Sequence, residues 1–416
     1  MPETIAQAFS EFYQNILLTP NQQDEVKTRF RGVMNVLHKY FYGENDNNDI
    51  SKLIGSYGKQ TNIRPPSDID TVFLLPLSEW EHYSSLSSNA QAVLLQKIRE
   101  VLMKTYSETD VKAWEKVVKV DFKVHKVEVV PAWKLLDGKF RIPNSTNGGS
   151  WEIVDYDAEV EQLNRLNKRN NGKTKQIIRM IKKWNKTISP IDPLSSYNIE
   201  KFVINFVSVY NTVNTSFSLI IKDFFDYLSL VIDKSRKSYV LTAKDRAFRA
   251  CSYQAEGELE KAADEWRKVF GDDFPKVYKT GTKEKLADAQ MDSEEFLYQD
   301  VRIDINPKYG VEIDCIKSGH YCEGPHISAV IGDGLEFHAK VSNIPGSYTI
   351  KWKIRNFGED AINANDLRGK IELSSPKDTI KQEHAKYRGT HFVECFVIKN
   401  QCCVASNILA VTIGEN

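Results

Sequence analysis

Net charge is the plainest absence in this sequence: 56 basic side chains are matched by 56 acidic ones. Proteins that hold long nucleic acids usually carry a basic excess, so neutrality favours small ligands over polymers and leaves room for local basic patches. Long apolar runs are missing as well. No stretch of about 18 apolar residues occurs, so no membrane-spanning helix is expected. The opening segment, MPETIAQAFSEFYQN, has neither the basic region nor the apolar stretch of a secretory signal. Cysteine is scarce, six residues in all. With no signal for export, free thiols in a reducing cytoplasm are the expectation, and the adjacent Cys402 and Cys403 are poorly disposed to pair with each other. Internal repeats and low-complexity tracts are also lacking. What remains is ordinary globular composition, 41% hydrophobic and 27% charged. At 416 residues the chain has room for two or three domains with cores of their own.

The pattern changes twice along the chain. Residues 3–42 read as two helices, the second with Val26, Phe30, Val33, Met34, Leu37 and Phe41 at helical spacing. A strand, a glycine-rich turn, a loop and a second strand follow over ISKLIGSYGKQTNIRPPSDIDTVFLLP. Then come a helix near 88–105 and alternating strands in WEKVVKVDFKVHKVEVVPAW. From about 155 to 275 the pattern is helical. It includes a long helix interrupted at NNG and another opening at SSYNIEKF, with Ser195 or Ser196 as its cap. The polar stretch 276–299 reads as a linker. After 300, short alternating runs separated by turn residues predict a β-sandwich. The expected fold is therefore α+β: a catalytic core over 1–150, a helical lobe over 151–275 and an all-β domain over 300–416.

The chemistry concentrates in Gly55-Ser56, eleven residues, then Asp68-Ile69-Asp70. Alternate residues of a strand share a face, so Asp68 and Asp70 project together while Ile69 enters the core. Paired carboxylates are hard oxygen ligands suited to Mg²⁺ or Mn²⁺. Nucleotidyl transfer uses two such ions about 4 Å apart, with a third carboxylate from a neighbouring strand. A glycine allows close backbone approach to phosphates, and serine hydroxyls and helix-terminal amides bind phosphate oxygens. Ser67 sits in the loop just before the acidic pair.

GSYGKQTNIRPPSDIDTVFLL resembles the core motif of the oligoadenylate synthetase and cyclic GMP–AMP synthase group. It most resembles their bacterial relatives, the CD-NTases of CBASS anti-phage systems. The resemblance covers most of residues 1–275 and implies a polymerase-β-like nucleotidyltransferase core. It places the third acid at Glu128, in Val127-Glu128-Val129-Val130-Pro131-Ala132, where the family more often has Asp; Asp121 in the preceding strand is the competing candidate. It assigns the donor triphosphate to Arg179 and Lys182, which helical spacing puts on one face. Ser196 would touch phosphate and Tyr197 would stack on a base, a core aromatic being the alternative for Tyr197. It further implies a cytoplasmic enzyme acting on ATP, GTP or other nucleoside triphosphates, whose product activates a separate effector.

The C-terminal third resembles the sensor domain called AGS-C, through YTIKWKIRN at 348–356, Asp366-Leu367-Arg368-Gly369 and YRGTHFVEC at 387–395. Such a domain implies a regulatory ligand or partner. Arg368, His391 and Glu394 stand among apolar strand residues, either as a satisfied buried network or as a ligand site. Cys315, His320, Cys322 and His326 have the composition of a zinc site but irregular spacing; ordinary strand and loop is the other reading. Three functions follow from these residues: a cyclic or linear oligonucleotide synthase, a nucleotidyltransferase modifying tRNA or protein, and a nucleotide-binding sensor with weak catalysis.

Overall fold

The computed structural model describes residues 2–43, 50–188, 193–278, 294–322, 324, 326–364, 366–373 and 379–414. The chain divides into two compact units, residues 13–165 and residues 1–12 with 166–416.

The unit over 13–165 takes only the last turn of α1 (Ile5–Ile16), then α2 (Pro20–Tyr42), β1 (Ser51–Leu53), α3 (Gly55–Gly58), β2 (Ile69–Leu74), α4 (Leu77–Ser84) and α5 (Ala90–Thr105). The strands β3 (Asp110–Trp114), β4 (Val117–Asp121), β5 (Lys126–Lys134), β6 (Phe140–Asn144) and β7 (Ser150–Val154) follow, then α6 (Tyr156–Arg169). Sequence dictates the ends of α2. Thr19 and Gln22 form a capping box, and Gly43 takes the left-handed C-terminal position. The sheet runs β1-β2-β5-β4-β3, with β6 on β5 and β7 on β6, and β2 parallel to β5.

Register explains how this sheet separates core from site. Ile69, Val127, Val120 and Val111 are successive partners across β2, β5, β4 and β3. All four are buried in the cluster that includes Leu37 of α2 and Leu94 and Ile98 of α5. The row displaced by one residue is Asp70, Glu128, Lys119 and Lys112. Because side chains alternate across the pleat, the row that fills the core fixes the polar row on the opposite face.

The other unit begins with helices α7 (Lys173–Thr187), α8 (Ser196–Val209), α9 (Phe217–Val231), α10 (Lys237–Glu256), α11 (Leu259–Phe270) and α12 (Leu297–Asp300). The interruption expected at NNG separates α6 from α7, with Asn171 and Gly172 both at positive φ. Phe9 and Phe12 pack with Trp266, Phe270 and Phe274, the Phe9–Trp266 centroids 5.1 Å apart. Strands β8 (Arg302–Ile303), β9 (Gly310–Lys317), β10 (His320–Cys322), β11 (His326–Val330), β12 (Gly334–Ser342) and β13 (Thr349–Arg355) follow. After α13 (Glu359–Asn363) come β14 (Arg368–Leu373), β15 (Ile380–His384), β16 (Gly389–Lys399) and β17 (Cys402–Gly414). They form two sheets, β10-β9-β12-β15 and β11-β17-β16-β13-β14 with β8 on β17. A shared apolar core between them includes Phe337, Trp352 and Val397, the sandwich that the alternating runs predict.

Most of the linker read at 276–299 lies outside the described residues, but its last part is built in. Glu294 neutralises both Lys353 and Arg355 of β13, the first at 2.8 Å, and Phe296 stacks on Tyr210. Helix α8 is held against the sandwich within this unit. Asn205 donates to Ile303 O at 3.0 Å and accepts from Ile305 N at 3.2 Å, and Ser406 donates to Ser208 O at 2.6 Å. Among the described residues no helix is long and apolar enough to cross a membrane.

Candidate active site

Asp70 and Glu128 are Cα partners on the parallel strands β2 and β5, so both carboxylates rise from the same face. Asp68 lies one residue ahead of β2 and is exposed. Its carboxyl is held above the ordinary range, first by partial burial and then by the Glu128 carboxylate. Gly55 opens α3 at φ +56, and a Cβ there would stand 2.2 Å from Asp70 Oδ2. The turn is fixed to the strand through Ile54 N donating to Asp70 O at 2.9 Å. Ser56 is half-buried in α3 and Ser67 is exposed. Tyr57 reaches toward Ser67 O at 3.5 Å, and its hydroxyl is pushed up to about 12 by burial and then by Asp70 and Asp68.

Two side chains of this face were missed in the sequence. Lys119 of β4 donates to Glu128 Oε1 at 2.6 Å; Glu128, with Asp68 and Asp70 beyond it, raises the lysine's pKa. The signal was present in VVKVD, where Lys119 alternates with two core valines, but a strand lysine reads as solvated. Tyr57 was likewise passed over inside the GSYG turn. Asp121, the competing third acid, accepts from Lys123 N at 2.9 Å and lies 3.8 Å from Lys126. It holds the β4–β5 turn.

Do these residues fit a divalent cation? Among the described residues no group of three or more His, Cys, Asp or Glu is gathered at metal-ligand spacing. What the structure shows is a local surplus of negative charge: Asp70 and Glu128 rise from one face, the Glu128 carboxylate repels that of Asp68, and a lysine ammonium is seated on Glu128. Such a surplus attracts positive charge.

In the other unit, α7 carries Lys175, Arg179, Lys182 and Lys186 at intervals of four, three and four. Burial and then Arg179 lower the Lys175 pKa; burial and then Lys183 and Lys182 lower that of Lys186. Arg179 is half-buried. Lys182 departs from the expectation that it shares Arg179's outward face. It is 5% exposed, and its ammonium donates at 2.7 Å to Glu200 of α8, itself 5% exposed. A charge on the apolar side of an amphipathic helix needs a buried partner, and Glu200 supplies it. On α8, Ser195 is the N-cap, accepting from Asn198 N at 3.1 Å. Ser196 is exposed, and Tyr197 is 59% exposed rather than a core aromatic.

Residues 4–167 match the family model of the Second Messenger Oligonucleotide or Dinucleotide Synthetase domain. Residues 291–414 match that of the Adenylyl/Guanylyl and SMODS C-terminal sensor domain. This chain is a CD-NTase. It is a nucleotidyltransferase, an oligonucleotide synthetase with a C-terminal sensor domain.

A probable cyclic nucleotide synthase of Bacillus cereus strain VD146 is 22% identical to this CD-NTase over 276 residues, 53% of this chain and 81% of that protein. The solved CdnC of Escherichia coli MS115-1, in its complex with HORMA-deltaN, matches 65% of this chain and 98% of its own at TM-score 0.50 and 17% identity. The cyclic AMP-GMP synthase DncV of Vibrio cholerae matches 64% of this chain and 97% of its own at TM-score 0.47 and 11% identity.

The sensor domain of this CD-NTase resolves the polar groups singled out in its sequence. His391 is fully used: Phe357 N donates to its Nδ1 at 3.2 Å, and Nε2 bonds Tyr387 O at 2.7 Å. Burial raises the pKa of the Glu394 carboxyl, with the charges of Lys353, Arg355 and Arg169 opposing it only in part. Arg368 instead borders a cavity. Cys315 and Cys322 are partners across the β9–β10 hairpin, but His320 bonds Ser318 O and His326 bonds Thr412 Oγ1, so the four do not assemble as zinc ligands.

Proposed function

We propose that this CD-NTase joins nucleoside triphosphates, ATP or GTP among them, into a cyclic di- or trinucleotide that signals phage infection to a separate effector protein. The observation that carries this reading is the row formed by Asp70 and Glu128, with Asp68 beside it and Gly55 against it. The Bacillus cereus relative, a probable cyclic nucleotide synthase, supports a cyclic product.

Asp68, Asp70 and Glu128 would hold two Mg²⁺ or Mn²⁺ ions, which supply Lewis acidity toward the attacking ribose hydroxyl and the triphosphate. The remaining work belongs to the chain. Gly55 brings the backbone of the turn close enough for Ser56 to donate to a phosphate oxygen, and Ser67 offers a second hydroxyl. Arg179 and Lys175 on α7 form a stretch of crowded positive charge that the donor triphosphate relieves. Lys182 sets the α7–α8 pairing through Glu200, and any contribution to phosphate binding is indirect. Ser196 contributes a hydroxyl at the start of α8, and the exposed Tyr197 offers a ring on which a base stacks, worth about 1–3 kcal/mol.

The test incubates the purified chain with each pair of labelled nucleoside triphosphates and Mg²⁺ or Mn²⁺, treats the mixture with phosphatase, and identifies surviving products by mass. A phosphatase-resistant species, absent from the Asp68→Ala/Asp70→Ala variant, is expected. No such species with any pair, even in lysate from phage-infected cells, overturns the reading. Label on tRNA or protein instead would replace it with macromolecular nucleotidylation.

A further inference from the structure

In the unit that carries the sandwich, helices α9 and α10 and the short α12 enclose a cleft with about 240 Å³ of open space. A water takes about 30 Å³ of liquid volume, so the cleft has room for roughly eight groups of that size. That suits a short chain and is too little for a nucleotide. Helical spacing builds two of the walls. Asp223 and Asp226 stand three residues apart on α9, and Asp245 and Phe248 three apart on α10, so each pair shares a face. The third wall is aromatic. Phe296 stacks on Tyr298 with centroids 5.5 Å apart and on Tyr210 at 5.6 Å, which fixes both lining rings.

Charge narrows the class of ligand. Three aspartates and two lysines line the cleft. Both lysines are already neutralised within it: Lys222 lies 2.6 Å from Asp223, and Lys244 lies 2.5 Å from Asp226. Asp223 also accepts from the Tyr210 hydroxyl at 2.6 Å. Asp245 is exposed, and among the described residues no cation is paired with it. The surplus of one carboxylate acts across the cleft, where the Tyr298 hydroxyl is held above its ordinary range by burial and then by Asp223 and Asp226. An anion would meet lysines whose charge is already spoken for. A quaternary ammonium would bring the carboxylates no donor, whereas a primary ammonium offers three N–H groups. On the same face of α10 as Asp245, the Phe248 ring is 64% exposed. It offers apolar surface to an aliphatic stem and a π face to the cation that the stem carries.

We propose that this cleft binds an unbranched aliphatic primary amine, the class of the diamines and short polyamines. One ammonium is taken up beside Asp245, the chain lies along Phe248, and a second ammonium stays at the open mouth in water. The cleft belongs to a different unit from the carboxylate row, and its use does not depend on which product the enzyme makes.

The experiment titrates the full chain with putrescine, cadaverine and spermidine at low salt in chelator, reading heat and thermal shift. The neutral diol of putrescine's length and choline serve as controls. Saturable binding of at least one amine below millimolar concentration is expected, with the diol and choline at least tenfold weaker. Asp245→Asn and Phe248→Ala alter exposed side chains and leave the fold intact. Together they are expected to weaken amine binding about tenfold or more, the scale of one lost charge-assisted contact. The Asp68→Ala/Asp70→Ala variant is expected to bind the amine as the wild type does. If no amine binds by millimolar concentration, if binding survives the Asp245→Asn/Phe248→Ala pair, or if the diol binds equally well, the proposal fails. Choline binding as tightly as the amines would replace it with a quaternary ligand, and binding lost in the Asp68→Ala/Asp70→Ala variant would move the amine to the carboxylate row.

Discussion

Gly55 leaves open the space that Asp70 occupies: a Cβ at Gly55 would stand 2.2 Å from Asp70 Oδ2 and 3.1 Å from its Cβ. The glycine also holds φ +56, where an L side chain is strained. Gly55→Ala is therefore expected to push the turn and the carboxylate apart. Backbone strain of about 1 kcal/mol is a small part of the effect; the larger part is a displaced carboxylate, since an error of about 1 Å at a reacting centre costs on the order of 100-fold in rate. Turnover and melting temperature measured together check this. An alanine variant with activity within threefold of wild type would show that the close approach is unimportant.

Glu128 and Asp121 compete for the role of third acid, and their surroundings separate them. Glu128 shares the face and register of Asp70, whereas Asp121 accepts from the Lys123 amide at the hairpin turn. Glu128→Gln, which keeps shape and removes charge, is expected to lower kcat by at least about 100-fold, the scale of losing a charge-stabilising group in an active site. Asp121→Asn keeps an oxygen to accept from Lys123 N and loses only the exposed pairing with Lys126, so it is expected to stay within threefold in kcat and to cost less than about 1 kcal/mol of stability. Steady-state rates and urea unfolding of both variants decide. The reverse ordering would move the third ligand to β4.

Much of this was legible from spacing alone. Asp68 and Asp70 stand out because alternation around a buried Ile69 is a local property of the chain, and the sandwich declares itself through short runs such as YTIKWKIRN and HFVECFVI. What spacing does not carry is partnership between distant residues. Nothing near Lys182 announces Glu200, eighteen residues on, so a lysine that turns inward reads as one that faces water. The polar run ending at Gln299 reads as linker because Glu294 finds Lys353 and Arg355 only after some sixty residues of intervening chain are folded. Lys119 is the same case inside the site: its identity as a strand lysine was plain, but its seat on Glu128 is a matter of register between β4 and β5.

The Lys182–Glu200 pair gives a direct way to sort structure from substrate binding on α7. Removing one member of a buried ion pair leaves the other charge without compensation and costs about 3–5 kcal/mol, whereas an apolar pair of similar volume is often tolerated. Lys182→Ala is thus expected to unfold at markedly lower urea, and Lys182→Met/Glu200→Leu to recover most of that loss with kcat/KM close to wild type. Arg179→Ala is expected to leave stability nearly unchanged and to raise the KM for the donor triphosphate about tenfold, the loss of one charge-assisted contact of about 1.5 kcal/mol. A double variant that is stable but more than tenfold impaired would return Lys182 to the triphosphate.

His391 makes the sensor domain sensitive to mild acid in a defined direction. Its burial lowers the folded-state pKa below the ordinary 6.5, with the bond to Tyr387 O only partly opposing this. The geometry gives the reason: Nδ1 accepts from the Phe357 amide, and a proton there would set donor against donor. Between the folded value and 6.5 the unfolded chain holds the extra proton, so stability rises with pH across that window and is lost as pH falls through it. The slope from one group reaches at most about 1.4 kcal/mol per pH unit. Urea unfolding followed at pH 7.5 and 5.5 should show the wild type losing stability on acidification by more than His391→Gln, which keeps an amide donor for Tyr387 O and cannot be protonated in this range. Equal losses in the two proteins would mean that His391 takes up its proton as readily folded as unfolded, and that the Phe357 amide imposes no penalty on it.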